Sequence, residues 1–250
     1  MTTPIVALHG FAGHADSWTD VRAALAAPHH LEAITLYGHD PTSPARAVIA
    51  FEAEVARVAE RIRALGRPVR LCGYSMGGRI ALGVVASVPE HVASLVLVGA
   101  HPGLQQEEER RQRAAADAVW ARVLEEEGID VFLSKWQAQP LFASQAGLDP
   151  ARLARQRAIR ARHDPVSLAF AMTSLGLAAM PSWWSMLERV EVPIELVVGQ
   201  LDEKFATLAR SMQARIPPGR ATVVEMPNCG HNVVLEQPEA LAMLLMRGVQ

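Results

Sequence analysis

The chain has 250 residues, 50% of them hydrophobic and 20% charged, with a formal net charge of −2. That length suits a single α/β domain with a large core, and the near-neutral balance argues against nucleic acid or an anionic membrane surface as a main partner. No run reaches the roughly 18 apolar residues of a membrane-spanning helix. Cys72 and Cys229 lack metal-ligand spacing and are too few for a disulfide framework, so they read as free thiols. With an opening stretch too short and too poor in basic residues for a secretory leader, this gives a cytoplasmic expectation.

In chain order, residues 4–8 form a continuous apolar run, the pattern of a parallel strand buried on both faces. The glycine-punctuated loop His9-Gly10-Phe11-Ala12-Gly13 follows. A helical spacing through Trp18, Val21, Leu25 and Ala26 starts from Asp16 as N-cap. Leu31 to Leu36 returns to strand, and Tyr37 to Pro44 is turn-rich. Phe51, Val55, Val58, Ile62 and Leu65 recur at steps of four and three, a one-sided helical stripe that Gly66 stops. Next come a strand from Pro68 to Cys72, a helix from Arg79 to Ser87 and a buried strand from Val92 to Val98. From residue 101 to 187 the strands vanish and proline-broken helical material takes over, as expected of a lid inserted into a core made of 1–100 and 188–250. A strand from Pro193 to Gly199, a helix from Glu203 to Ala214, a strand from Ala221 to Glu225 and a helix from Glu236 to Met246 complete the chain. Such alternation predicts an α/β fold, a mostly parallel sheet with helices on both faces.

Gly73-Tyr74-Ser75-Met76-Gly77-Gly78 lies between the predicted strand and helix in the middle of the core. It has the Gly-x-Ser-x-Gly form of a nucleophile elbow, a sharp strand-to-helix turn that pushes the serine hydroxyl into the open. A serine hydroxyl needs a base to take its proton, and the base needs an acid to hold its tautomer and balance its charge. Asp202 follows the Pro193–Gly199 strand and His231 follows the last strand, so Ser75, Asp202 and His231 all fall beyond strand C-termini, where open α/β sheets bind ligands. Glu203 and His39 are substitutes for the acid and the base. The backbone N–H groups of Met76 and Phe11 are the candidates for an oxyanion hole.

The HG-x-x-G loop, the G-x-S-x-G-G elbow and the late Gly230-His231 make the whole chain resemble the α/β-hydrolase superfamily. Within it, Gly77-Gly78-Arg79, Gly99-Ala100-His101-Pro102-Gly103-Leu104-Gln105 and Trp136-x-x-Gln139-Pro140-Leu141-Phe142-Ala143-Ser144 resemble the 2-succinyl-6-hydroxy-2,4-cyclohexadiene-1-carboxylate synthases of menaquinone biosynthesis. That resemblance implies a lyase that expels pyruvate from a cyclohexene tricarboxylate, without cofactor or metal, using the triad as base. It further implies substrate contacts from Arg79, Arg113 and Arg160, whose bidentate forks suit carboxylates, with a polar contact from Gln105 and an apolar wall from Trp136. The chain departs from the pattern at Tyr37-Gly38-His39-Asp40 and at Gln137. An esterase or carbon-carbon hydrolase working through an acyl-enzyme is the alternative on the same triad. A non-enzymatic binding protein is a third, disfavoured because all three triad positions are filled.

Overall fold

The computed structural model describes residues 2–247. Strand β1 (Ile5–Leu8) leads through a 3₁₀ turn (Ala15–Trp18) into α1 (Thr19–Ala23). Then follow β2 (Leu31–Ile34), α2 (Phe51–Arg63), β3 (Val69–Tyr74), α3 (Met76–Ser87) and β4 (Val92–Val98). Four helices come next without a strand: α4 (Glu107–Gln137), α5 (Pro150–Ala161), α6 (Pro165–Ser174) and α7 (Trp184–Leu187). The chain ends with β5 (Ile194–Gly199), α8 (Glu203–Gln213), β6 (Ala221–Met226), α9 (Val233–Glu236) and α10 (Pro238–Met246).

The six strands form one all-parallel sheet in the order β2-β1-β3-β4-β5-β6. Side chains alternate across each strand. Thus Val6 and Leu8 join one apolar layer with Leu95 and Leu97, while Ile5 and Ala7 join the opposite layer with Val96 and Val98. Helices α2, α3 and α8 pack on the first face, and α1, α9 and α10 on the second. On α2 the stripe Val55, Val58 and Ile62 is buried as its spacing predicts. Truncating the fully buried Ile62 to Ala is expected to cost about 2–5 kcal/mol. The register pairs Leu8 with Gly73, Tyr74 with Val98, and Val98 with Val197, so the C-terminal ends of β1, β3, β4 and β5 share one edge of the sheet.

The helices between β4 and β5 build an apolar cluster of their own, with Leu124, Phe132 and Leu133 of α4 against Leu168 and Met172 of α6. Ala12 and Phe11, from the loop after β1, join that cluster and tie it to the sheet. Among the described residues no helix is long and apolar enough to cross a membrane.

Several boundaries differ from expectation. The cap of the 3₁₀ turn that leads into α1 is His14, not Asp16: its side chain accepts from the Asp16 N–H at 3.2 Å while Ser17 Oγ accepts from the His14 N–H at 3.1 Å, a reciprocal box. The helix after it ends at Ala23 and does not reach Ala26. The final helix is split, because Pro238 offers no N–H to continue α9 and instead starts α10. The elbow strand runs on to Tyr74 and α3 begins at Met76, which leaves Ser75 alone in the turn.

Candidate active site

Ser75 sits at φ 50° and ψ −108°, a left-handed conformation costly for a side chain of its kind. The surroundings hold it there. Its N–H donates to the Val98 carbonyl at 2.8 Å, and α3 presses so closely on β1 that a Cβ on Gly77 would collide with the Leu8 carbonyl oxygen. Met76, the first residue of α3, has no intrahelical partner for its N–H. Among the described residues neither the Met76 nor the Phe11 N–H donates to a protein carbonyl, so both are free to meet an oxyanion.

Asp202 caps α8, its Oδ1 accepting from the Phe205 N–H at 3.4 Å, and its Oδ2 lies 2.7 Å from His231 Nδ1. His231 Nε2 is 3.3 Å from Ser75 Oγ. Both partners are buried, Asp202 at 7% and His231 at 3% exposure, so the carboxylate can orient the ring and meet its charge with little competition from water. With Nδ1–H donated to Asp202, Nε2 is the basic atom facing the serine. The loop carrying His231 is clamped from below. The buried Glu236 carboxylate accepts from the Gly230 N–H at 2.7 Å and the Asn232 N–H at 3.2 Å, on either side of the histidine. Gly99, at φ 54°, makes room for the ring: a Cβ there would be 2.9 Å from His231 Cε1.

Ser75 and His231 open into a cleft of about 520 Å³ lined also by Arg79, Arg113, Trp136 and Lys204. Arg79 lies one turn along α3 from Ser75, and its Nη1 is buried without a hydrogen-bond partner. Burial, with a smaller contribution from nearby Arg113, pulls its pKa down to about 9. Arg113 Nε is 2.9 Å from Asp117 Oδ1, whereas Asp117 Oδ2 is buried and unpaired. His101, on the loop after β4, also faces the cleft, and burial followed by the charge of Arg79 holds its pKa down at about 4. Arg79, Arg113 and Lys204 against Asp117 give the cleft an excess of positive charge, which favours an anion over a neutral molecule. Trp136 lines the cleft and stacks on Phe132 with ring centroids 5.3 Å apart, so it is both wall and packing.

Not every expected residue arrives. Gln105 is exposed and stands outside the cleft lining, because the chain at that point has left β4 and not yet entered α4. Arg160, on the far side of the Phe11 loop, lines a different cavity. Glu203 is exposed. His39 is no substitute base: its Nε2 accepts from the Ala12 N–H at 3.1 Å and its Nδ1 donates to the Tyr37 carbonyl at 2.8 Å. His9 is used in the same way, between the Leu36 N–H at 3.0 Å and the Gly10 carbonyl at 2.8 Å, and burial lowers its pKa to about 3. These two neutral imidazoles brace the loop that carries the Phe11 N–H. Reading the sequence missed His101, Asp117 and Lys204 as cleft residues. His101 carried a usable signal, its place just after a strand end; Asp117, four residues after Arg113, carried a weaker one.

The sheet order, the serine turn and the order of the three polar side chains define a class, and the chain belongs to the alpha/beta hydrolase family, whose pattern matches residues 5–244. It is an enzyme of that fold. It is 32% identical to the 2-succinyl-6-hydroxy-2,4-cyclohexadiene-1-carboxylate synthase of Enterobacter sp. (strain 638), over 96% of this chain and 89% of that protein. It is 34% identical, over 96% of this chain and 88% of the other, to a Bacillus subtilis (strain 168) protein whose name gives the same synthase provisionally. The solved structure of MenH from S. aureus superposes with a TM-score of 0.91 at 25% identity, covering 98% of this chain and 93% of that one.

Proposed function

We propose that this enzyme eliminates pyruvate from 2-succinyl-5-enolpyruvyl-6-hydroxy-3-cyclohexene-1-carboxylate to give 2-succinyl-6-hydroxy-2,4-cyclohexadiene-1-carboxylate, the product for which its relatives are named. The observation that carries the reading is Arg79, a half-buried side chain whose Nη1 is buried and unpaired one turn from Ser75, in a cleft that also holds Arg113 and Lys204. Such a cation is costly to bury alone and is repaid when a substrate carboxylate arrives. An uncharged ester gives it nothing to do.

His231 takes the Ser75 hydroxyl proton, and the serine oxygen removes the proton from the ring carbon next to the succinyl carbonyl. The electron pair released from that C–H bond shifts into the ring, and the ring C–O bond to the enolpyruvyl group breaks. The departing enolate takes the proton from His231 and becomes pyruvate, so triad and proton count are restored. No ester forms between serine and substrate. The Phe11 and Met76 N–H groups stabilise the negative charge on the succinyl carbonyl oxygen during proton removal, while Arg79 and Arg113 hold carboxylates so that the acidic carbon stays within reach. The step is redox-neutral and every proton is handled by Ser75 and His231, so the reading includes no cofactor. Residues 101–187 act as a lid over a core of 1–100 and 188–250, and the free thiols Cys72 and Cys229 suit a cytoplasmic enzyme.

The test is single-turnover mass spectrometry on the cyclohexene substrate with a parallel pyruvate assay. Pyruvate release without a mass adduct on Ser75 is expected. Accumulation of a serine-linked acyl-enzyme, or no pyruvate at all, rejects the elimination.

A further inference from the structure

His101 lines the Ser75 cleft beside Arg79 and Lys204, and the reaction proposed above gives it no task. Its Nδ1 accepts from the Gly103 N–H at 3.0 Å, so that nitrogen carries no proton and the neutral ring holds its proton on Nε2. Among the described residues Nε2 makes no hydrogen bond, and it is not sealed from the cleft. The other histidines near the site are spent differently. His9 and His39 use both ring nitrogens on backbone groups of the Phe11 loop and its neighbours, and His231 uses both on the triad. His101 uses one nitrogen to fix its tautomer and keeps the other as a donor with nothing to donate to.

The loop that carries this donor is pinned from two sides. The Pro102 carbonyl accepts from the Trp183 N–H at 2.7 Å, and the Gly103 carbonyl accepts from Trp184 Nε1 at 3.1 Å. Arg110 of α4 donates to the Leu104 carbonyl at 3.0 Å. Gly103 has φ 106°, and a Cβ there would stand 2.6 Å from the Pro181 carbonyl oxygen, so the loop lies hard against the chain that enters α7. Pro102 narrows the backbone further, fixing its own φ and keeping His101 out of helical geometry. A donor held this firmly suits a ligand atom that must be met in one place. Arg79 is the charge the ring feels most, ahead of Lys204 and Arg113, and Arg79 Nη1 is itself buried and unpaired.

We propose that His101 Nε2–H and the Arg79 guanidinium form one cradle for a single carboxylate of the substrate, with His101 as its neutral, donor-only wall. The proposal deepens the elimination above and rests on it for the identity of the substrate. A neutral donor adds a hydrogen bond to the carboxylate without setting a second cation beside Arg79, where like charges would repel. Because Nδ1 is already taken, the ring cannot turn an acceptor to the cleft. A carboxamide in the same place would bring an NH₂ group against donors alone, so the cradle selects the acid over its amide.

Calorimetric titration of the full chain with pyruvate, and with pyruvamide as its neutral analogue, tests this without turnover; kcat/KM for the cyclohexene tricarboxylate is measured beside it. Wild type should bind pyruvate at least about tenfold more tightly than pyruvamide. Two substitutions separate the two ring nitrogens. His101→Asn keeps an acceptor near the Gly103 N–H and removes the cleft donor, so it should melt like wild type yet lose about five- to tenfold in pyruvate affinity and in kcat/KM. His101→Gln returns a donor near the place of Nε2 and gives up the brace, so it should melt earlier and keep affinity within about threefold of wild type. In an Arg79→Ala background His101→Asn should cost little more, since both groups hold the same carboxylate. The proposal is overturned if wild type binds pyruvate no better than pyruvamide, if His101→Asn keeps wild-type affinity, if His101→Gln loses as much as His101→Asn, or if the His101 and Arg79 losses simply multiply. If the binding results are as expected but wild type releases no pyruvate from the cyclohexene substrate, the elimination fails and the cradle stands.

Discussion

The sheet and the helical insertion contribute to the same cleft in different ways. Ser75, Asp202 and His231 stand at the ends of β3, β5 and β6, where parallel register and short loops leave their backbones little choice of position. The insertion presents its residues from helices whose rotation is settled by packing. Of two lid arginines expected at the substrate, Arg113 faces the cleft with Asp117 beside it, and Arg160 turns into another cavity. Chemistry on strand ends is set by topology, whereas recognition on an inserted helix depends on which face its apolar residues bury.

The sharpest break of that comparison is removal of the strand-end groups. Ser75→Ala, His231→Ala and Asp202→Asn should each lower kcat by about a thousandfold or more, since the three act as a unit. Circular dichroism should stay that of a folded chain, and Glu203→Gln should retain nearly full activity. Substantial turnover in Ser75→Ala would end the assignment.

Next in size is the cation on the core helix. Arg79→Ala should cut kcat/KM for the tricarboxylate about ten- to hundredfold, the range of a charge-assisted contact, while turnover of an uncharged aryl ester, if any is measured, changes little. Melting should occur no earlier, because among the described residues the buried Arg79 Nη1 has no hydrogen-bond partner to lose. Equal losses on both substrates would show that Arg79 supports the elbow and not the anion.

A smaller effect separates core from insertion by pH. In the folded protein His9 is held to about 3 and His101 and His163 to about 4, in each case chiefly by burial. Unfolded histidine protonates near 6.5. Between 6.5 and about 4 the unfolded chain therefore binds more protons, so stability present above pH 6.5 is lost as pH falls through that window. Urea midpoints should fall steadily from pH 7 to pH 4.5. His163→Asn should reduce that slope by its own share and leave those of His9 and His101; an unchanged slope would mean that His163 titrates normally.

The smallest effect is expected at the residue that missed the cleft. Gln105→Ala should leave kcat and KM within about twofold of wild type, as for an exposed position away from the site. A large rise in KM would mean that the loop after β4 folds inward on substrate.

The core was readable from residue order because its signals are local and periodic. Two-sided apolar runs marked β1, β4 and β5, a four-and-three stripe marked α2, and glycines around Ser75 marked the one turn tight enough to need them. Even there the elbow helix began three residues earlier than its composition suggested, since Gly77 and Gly78 are poor helix formers that are needed where Leu8 of β1, Gly73 of β3 and Ala100 beyond β4 press against the helix. A cap at His14 in place of Asp16 was likewise invisible, because it depends on a reciprocal bond with Ser17.

What the amino-acid order determined by itself was the alternation of strand and helix, the serine turn, and the sequence Ser75, Asp202, His231 at strand ends; all follow from short-range sterics and burial patterns. What only the tertiary structure decided was which charges meet. His39 and His9 became braces of the Phe11 loop, Glu236 became the clamp under His231, and Arg79 and Arg160, each with a buried and unpaired Nη1, were left lining two different cavities. A side chain's sequence neighbours say little about its countercharge, because that partner arrives from another element whose rotation is chosen by the packing of apolar residues.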